Sequence, residues 1–326
     1  MSPSPNTTLD LQLNEDQQAI ADAIDRFCES RCDTHVVKGL TDTFSSPLWR
    51  ELAEMGVLSA ATPEGDGGAL EICAISEALG RHVFPGPVAA TFLATQVLDE
   101  AERLLVMEGH GLVSLGLMGS NKTPTLMPFA NQAKIFLVTN GKDIYRAELT
   151  GNISAVKTLG GEPWGRVNIK VGAKLAHSQR GLIINDISTA AYLVAAAKRL
   201  VKDASEYANV RKQFGKTLGE FQSVAHPLAD CQISLTAAES LARAAACCFD
   251  QNDLPKANEY SAAARLSASR AALKSAYVCH QVFAGIGITL EGPAFHITRR
   301  IRQLVSQAPG DHASKENLLN QISLGA

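Results

Sequence analysis

The stretch Tyr207-Ala-Asn-Val-Arg211-Lys-Gln213-Phe214-Gly215-Lys-Thr-Leu-Gly-Glu-Phe221-Gln222 closes one long alanine-rich helical pattern and opens another. Apolar periodicity predicts a helix over 188–209 before it and helices over 220–250, 256–283, 293–306 and 313–322 after it. Helices of such length owe little of their stability to propensity. They must bury a face along most of their length, against one another or against another subunit. Their abundant alanine and sparse charge suit close-packed contacts of the kind found in an oligomer core. Further along, Gln281-Val282-Phe-Ala284-Gly285-Ile-Gly287-Ile-Thr-Leu-Glu291-Gly-Pro293 interrupts the pattern with small residues, which let a backbone approach closely.

Toward the N-terminus the pattern changes. Leu112-Val-Ser-Leu-Gly116, Ile135-Phe-Leu-Val-Thr139, Ile144-Tyr-Arg-Ala-Glu-Leu149 and Arg166-Val-Asn-Ile-Lys-Val171 are short β-rich runs. Asn140-Gly141 between the second and third signals a hairpin. Before Gly109 the chain reads as helices again. Asn14 caps the first, which places Ile20, Ala23, Ile24 and Phe27 on one face and runs to about Cys32. Pro47 sits in the first turn of a helix ending by Gly56, Leu70 to Leu79 form another closed by Gly80, Pro87 opens a fourth, and a short one reaches Met107. The fold class is therefore mainly α: a helical domain over 1–108, a small β domain over 109–186 and a helical bundle domain over 187–326.

Composition narrows the function. The chain has 326 residues, 46% of them hydrophobic, enough for a sizeable core. Its net charge is -3 with no basic block, whereas a nucleic-acid partner demands a clustered Lys/Arg face. The start, Met1 to Thr8, is polar and Pro/Ser-rich, unlike a signal peptide, and no stretch reaches the roughly 18 to 20 apolar residues that span a bilayer. The sequence thus reads as soluble and cytoplasmic. Seven cysteines lie mostly within helical patterns and read as buried small hydrophobes. Cys28 and Cys32 are one turn apart, but no second pair or histidine completes a metal site. His226 and His280 read as packed or surface residues.

The order of domains and the motifs together resemble the acyl-CoA dehydrogenase family, flavoenzymes with an N-terminal helical domain, a middle β domain and a C-terminal four-helix domain. The N-terminal portion carries the resemblance through Leu48-Trp49-Arg-Glu-Leu52-Ala-Glu-Met-Gly56, the Pro63 to Gly68 loop and Glu77-Ala-Leu-Gly80. The C-terminal portion carries it through Tyr207, Arg211-Lys-Gln213-Phe214-Gly215, Phe221-Gln222, Leu228-Ala229-Asp230, and the Gln281 to Gly287 block with Glu291. Taken singly, an arginine at a helix end, a phenylalanine and a glycine turn have ordinary structural readings. In this order and spacing they form a set.

The resemblance implies roles. Arg211 would reach across a subunit boundary to the pyrophosphate of FAD, where a guanidinium fork matches the oxygens. Gln213 belongs to the same grip, Phe214 would stack near the flavin, and Gln222 would hydrogen-bond to the dinucleotide. Gln281, Val282, Ala284 and Gly285 would bring backbone groups up to its adenosine end. Ala284 stands where the family usually has glycine, a departure expected to be mild.

Two family features are missing. The middle domain of a complete member carries a Thr-Glu-Pro-x-x-Gly-Ser-Asp segment and a Lys-x-Trp-Ile-Thr segment that hold the flavin ring, and this chain has neither. The second is the carboxylate that removes the α-proton of the acyl thioester while hydride leaves for the flavin. One family position for it, 26 residues before Arg211, falls on Asn185, and the other falls near Ala308-Pro309-Gly310. Asp186 and Asp311 are the nearest acids, and a shifted register would make either a base; otherwise Asp186 is a residue at a helix N-terminus and Asp311 a solvated or capping one. The resemblance implies a shortened subunit of a heteromeric dehydrogenase, such as those of bacterial steroid side-chain degradation. It would act on a bulky acyl-CoA, with a larger homologous subunit as partner and an electron-accepting flavoprotein downstream. A self-sufficient homomer using Asp186 or Asp311 and a non-catalytic interaction subunit are the alternatives.

Overall fold

The computed structural model describes residues 9–32, 43–119 and 125–324. The start Met1 to Thr8 and residues 33–42, read from the sequence as a polar loop, lie outside them. Helix α1 (Glu15–Arg31) begins with a reciprocal cap: Asn14 Oδ1 accepts from Gln17 N at 2.8 Å, and Gln17 Oε1 accepts from Asn14 N at 2.9 Å. Helices α2 (Ser46–Glu54), α3 (Ala69–Arg81), α4 (Val88–Val97) and α5 (Glu100–Met107) follow, close to where the sequence places them. Most of α3 is buried. A Cβ at its Gly80 would stand 2.5 Å from the Tyr192 carbonyl oxygen, so only glycine permits this approach.

The β unit contains strands β1 (Val113–Leu117), β2 (Thr125–Pro128), β3 (Ile135–Thr139), β4 (Ile144–Leu149), β5 (Ser154–Val156), β6 (Trp164–Val167) and β7 (Ile169–Lys174). They form two sheets, ordered β1-β3-β4-β7 and β2-β6-β5. Among the described residues only β1 and β3 pair in parallel, with Val113 opposite Ile135. The Asn140-Gly141 signal does mark a hairpin, but Thr139 pairs with Ile144 across a four-residue loop whose Asn140 Oδ1 accepts from Lys142 N and Asp143 N. The run expected over Arg166 to Val171 is divided at Asn168 between β6 and β7, which belong to different sheets.

Helix α6 (Ser178–Val210) starts ten residues before the expected Ser188. Residues 178–187 include Gly181, three isoleucines, Asn185 and Asp186, all of weak helix preference, but tertiary contact overrides propensity. Gly181 packs against Val97, Ile144 and the Leu93 carbonyl. The bundle continues with α7 (Gln222–Asp250), α8 (Leu254–Phe283), α9 (Pro293–Ser306) and α10 (Gly310–Leu324). Helix α8 packs against α6, α7, α9 and α10 through a largely alanine face that includes Ala257, Ala264, Ala268 and Ala272. All seven cysteines are buried. No helix among the described residues is long and apolar enough to cross a membrane.

Buried polar groups tie the three regions together. Asp250 of α7 accepts from Ala69 N at 2.6 Å and Leu70 N at 3.2 Å, capping α3 from across the core. Arg300 of α9 donates to the Gly86 carbonyl at 2.9 Å and pairs with Glu162 of the β unit. Arg265 of α8, 1% exposed, joins three helices. Its Nη2 donates to the Leu304 carbonyl at 3.1 Å at the end of α9, and its Nε to Asp311 Oδ1 of α10 at 3.4 Å. Asp186 Oδ1 of α6 stands 3.9 Å from its Nη1. Asp311 also accepts from Ser269 Oγ at 2.8 Å, and Asp186 from Ser314 Oγ at 3.1 Å.

Two measurements test this packing. Asp250→Ala leaves two helix N–H groups of α3 without their acceptor and lowers the stability of the chain by about 1–2 kcal/mol in denaturant titrations. Asp186 is buried, and desolvation pushes its carboxyl from 3.8 up to about 6 despite the opposing Arg265 charge. A raised acid pKa means that the native state binds the proton more tightly, so stability falls as pH rises from about 4 to about 6. Relative to Asp186→Asn, the wild-type chain loses up to about 3 kcal/mol over that window. Parallel stability profiles of the two proteins contradict this account.

Candidate functional site

Helix α6 stops at Val210, and Arg211 leaves it in an extended conformation while its N–H still bonds to the Tyr207 carbonyl at 2.9 Å. A miniature hairpin follows, β8 (Lys212–Gln213) against β9 (Lys216–Thr217), turned by Phe214 at φ 52° and Gly215 at φ 81°. Positive φ at both turn positions matches the strand twist but is unusual for phenylalanine. The Phe214 ring is 94% exposed, with the Phe221 ring edge-on at 6.4 Å. Arg211, Lys212 and Lys216 are exposed, and the Arg211 guanidinium makes no hydrogen bond or ion pair among the described residues. Gln213 is exposed with its amide on the Lys212 carbonyl at 2.7 Å, and Gln222 is exposed at the start of α7.

The second block lies beside the first. Helix α8 ends at Phe283, whose ring packs on Tyr207 at 5.2 Å between centroids, and a short turn runs over Ala284–Ile288. Gln281, Ala284 and Gly285 are exposed. Val282 is not: at 7% exposure its side chain belongs to the core, leaving only its main chain to face a ligand. Ala284 adopts φ 51° and ψ -129°, so replacing the family's glycine is more than a mild departure, because a Cβ there is strained. His280 holds the base of the turn, with Nε2 2.9 Å from Thr298 Oγ1, and burial lowers its pKa.

The candidate bases lie elsewhere, Asp186 on α6 and Asp311 at the start of α10. Asn185 is buried, with its amide 3.5 Å from Asp186 Oδ1, and Ala308-Pro309 contains a cis peptide bond just before α10. Asp186 sits well inside α6, not at its N-terminus as a sequence reading suggests. Sequence reasoning treats Asp186 and Asp311 as separate alternatives, yet both face Arg265. Arg265 carries no motif; an arginine on an alanine-rich helix face is its single sequence signal. Asp186 also lines a cavity of about 760 Å³ with Leu182, Ile183, Lys142, Lys174 and Asn317. At 1.5 Å per residue, Arg211 lies about 38 Å along α6 from Asp186. One compact site cannot contain both.

The outward face that remains consists of a guanidinium without a partner among the described residues, two ammonium groups, an exposed ring, three amides and a glycine-bearing turn. That donor set fits an anionic, aromatic dinucleotide such as FAD, with Arg211 suited to pyrophosphate.

Comparison with known proteins identifies the family. Residues 14–101 match the acyl-CoA dehydrogenase N-terminal domain family and residues 175–306 the acyl-CoA dehydrogenase C-terminal domain family. The acyl-CoA dehydrogenase FadE34 of Mycobacterium tuberculosis is 29% identical over 282 residues, covering 78% of this chain and 39% of FadE34, so the chain spans less than half of that relative. The acyl-CoA dehydrogenase IpdE2 of the same organism is 30% identical over 264 residues, covering 76% of this chain and 78% of IpdE2. Among solved structures, a variant of the Tcur3481-Tcur3483 steroid ACAD shares the fold with a TM-score of 0.80 at 20% identity, over 95% of this chain and 98% of that one. The chain belongs to the acyl-CoA dehydrogenase family, whose members are FAD-dependent oxidoreductases.

Proposed function

We propose that this chain is the smaller subunit of a heteromeric acyl-CoA dehydrogenase, a heterotetramer of two smaller and two larger homologous subunits with one flavin per heterodimer. The observation that supports the reading is the separation along α6: an exposed face at one end whose Arg211 guanidinium has no partner among the described residues, and Asp186 and Asp311 turned toward Arg265 at the other. Arg211 would bind the pyrophosphate, Gln213 and Gln222 would hydrogen-bond to the dinucleotide, and Phe214 would cover its ring. Gln281, Ala284 and Gly285, with the main chain of Val282, would face the adenosine end. FAD, when bound, accepts the hydride that leaves the β-carbon of the acyl thioester. The larger subunit would supply the base and the thioester pocket, and an electron-accepting flavoprotein would reoxidise the enzyme.

The division into 1–108, 109–186 and 187–326 belongs to this proposal, with its second boundary inside α6. A bulky steroid-type acyl-CoA is the proposed substrate, by analogy with the steroid ACAD that shares the fold. A second reading, a homomer with Asp186 as base, draws on the position of that acid in the cavity wall. Arg265 and Ser314 at its oxygens weigh against it.

Expression of the chain alone, and together with its larger homologue, separates these readings. The heteromer reading expects colourless protein in the first case and flavin-loaded, acyl-CoA-reducible protein in the second. Stoichiometric flavin on the chain alone defeats it. In the heteromer, Arg211→Ala should weaken FAD binding about 10- to 100-fold, the loss of one charge-assisted interaction. Unchanged flavin affinity would instead indicate a subunit with no flavin role.

A further inference from the structure

Two sequence-distant blocks must act on one ligand for the half-site to work, and an aromatic contact joins their roots. Tyr207 lies one turn before Arg211 and accepts the Arg211 N–H through its carbonyl at 2.9 Å. Its ring packs on Phe283, 5.2 Å between centroids and tilted by 44°. Phe283 is 4% exposed, the last residue of α8, and the Ala284–Ile288 turn begins immediately after it. The buried residues nearby on the two helices are small: Ala204 and Ala208 on α6, Ala276 and Cys279 on α8. The ring pair is thus the bulky spacer where the helices end.

The two sides of this contact are held unequally. The turn is anchored from beneath, by Phe283 in the core and by His280 against Thr298 at 2.9 Å. The hairpin is exposed throughout Arg211 to Lys216, and its link back to the bundle runs through the end of α6 and the Leu218 N–H on the Arg211 carbonyl at 2.9 Å. The phenol oxygen of Tyr207 makes no hydrogen bond among the described residues, so the ring, not the hydroxyl, is what the contact uses.

We propose that Tyr207 is a positioning residue for the dinucleotide: seated on Phe283, its ring sets the spacing between the Arg211 guanidinium and the main chain of the Ala284–Ile288 turn. The proposal rests on the half-site reading above. It assigns Tyr207 no contact with the cofactor.

The test titrates FAD into the flavin-stripped heteromer and follows flavin fluorescence. Tyr207→Leu fills similar volume without a planar ring, and Tyr207→Ala empties the position. Each should weaken FAD binding about 3- to 10-fold, the range of an aromatic pair, while the conservative Tyr207→Phe restores wild-type affinity. In the chain alone, amide hydrogen exchange over Arg211 to Leu218 should accelerate in Tyr207→Leu and not in Tyr207→Phe, a readout independent of turnover. Wild-type FAD affinity and exchange in Tyr207→Leu overturn the proposal while Arg211→Ala still weakens binding, leaving the half-site intact. If Arg211→Ala also binds FAD as tightly as wild type, the half-site reading itself is wrong, and Tyr207 falls with it.

Discussion

Helix α6 is the constraint on which the rest of the molecule depends. Its 33 residues extend about 50 Å as one rigid rod. The rod is buried for most of its length because alanine and glycine on its neighbours let it approach them closely, as Gly80 does at the Tyr192 carbonyl. A helix with large side chains at those positions would stand farther off, and each end would point elsewhere. Close packing thereby converts a weak sequence preference for helix into fixed positions for two chemically distinct ends.

Those ends explain why the chain retains some family features without others. Near its start α6 passes the cavity and gives Asp186 to the buried Arg265 cluster, where the carboxylates of Asp186 and Asp311 compensate a guanidinium that has almost no access to water. At its finish α6 hands the chain to a hairpin whose arginine, lysines and phenylalanine face outward. Leaving an aromatic ring in solvent on a positive-φ turn costs free energy, and among the described residues only the edge of Phe221 meets that ring. Under the proposed function, a cofactor shared with another subunit accounts for that cost.

Legibility varied with the kind of signal. Helices with capping residues and regular apolar spacing were readable to within a few residues: Asn14 before α1, Pro47 in α2, Pro293 opening α9. Strands β2 and β5 went unseen because each is four residues or fewer and lacks a clear alternation. The start of α6 was hidden because isoleucines and Gly181 imitate a strand until Leu93, Val97 and Ile144 are seen packed against them. In the site, Arg211, Gln213, Phe214 and Gln222 are exposed. Val282 turned inward, since a residue just before the end of a helix that packs on α6 has one face committed to the core.

What the sequence determined by itself is residue chemistry along the chain: the Arg211-Lys-Gln213-Phe214-Gly215 motif, a small-residue block at Gln281 to Gly287, and no acid at either family base position. These are matters of residue identity, and no folding changes them. Only the tertiary structure decided which of those residues share a surface. It placed Phe283 against Tyr207, drew Asp186 and Asp311 onto one guanidinium, and gave Ala284 a backbone suited to glycine. Such outcomes depend on contacts between residues dozens of positions apart, where packing geometry, not local preference, sets the free energy.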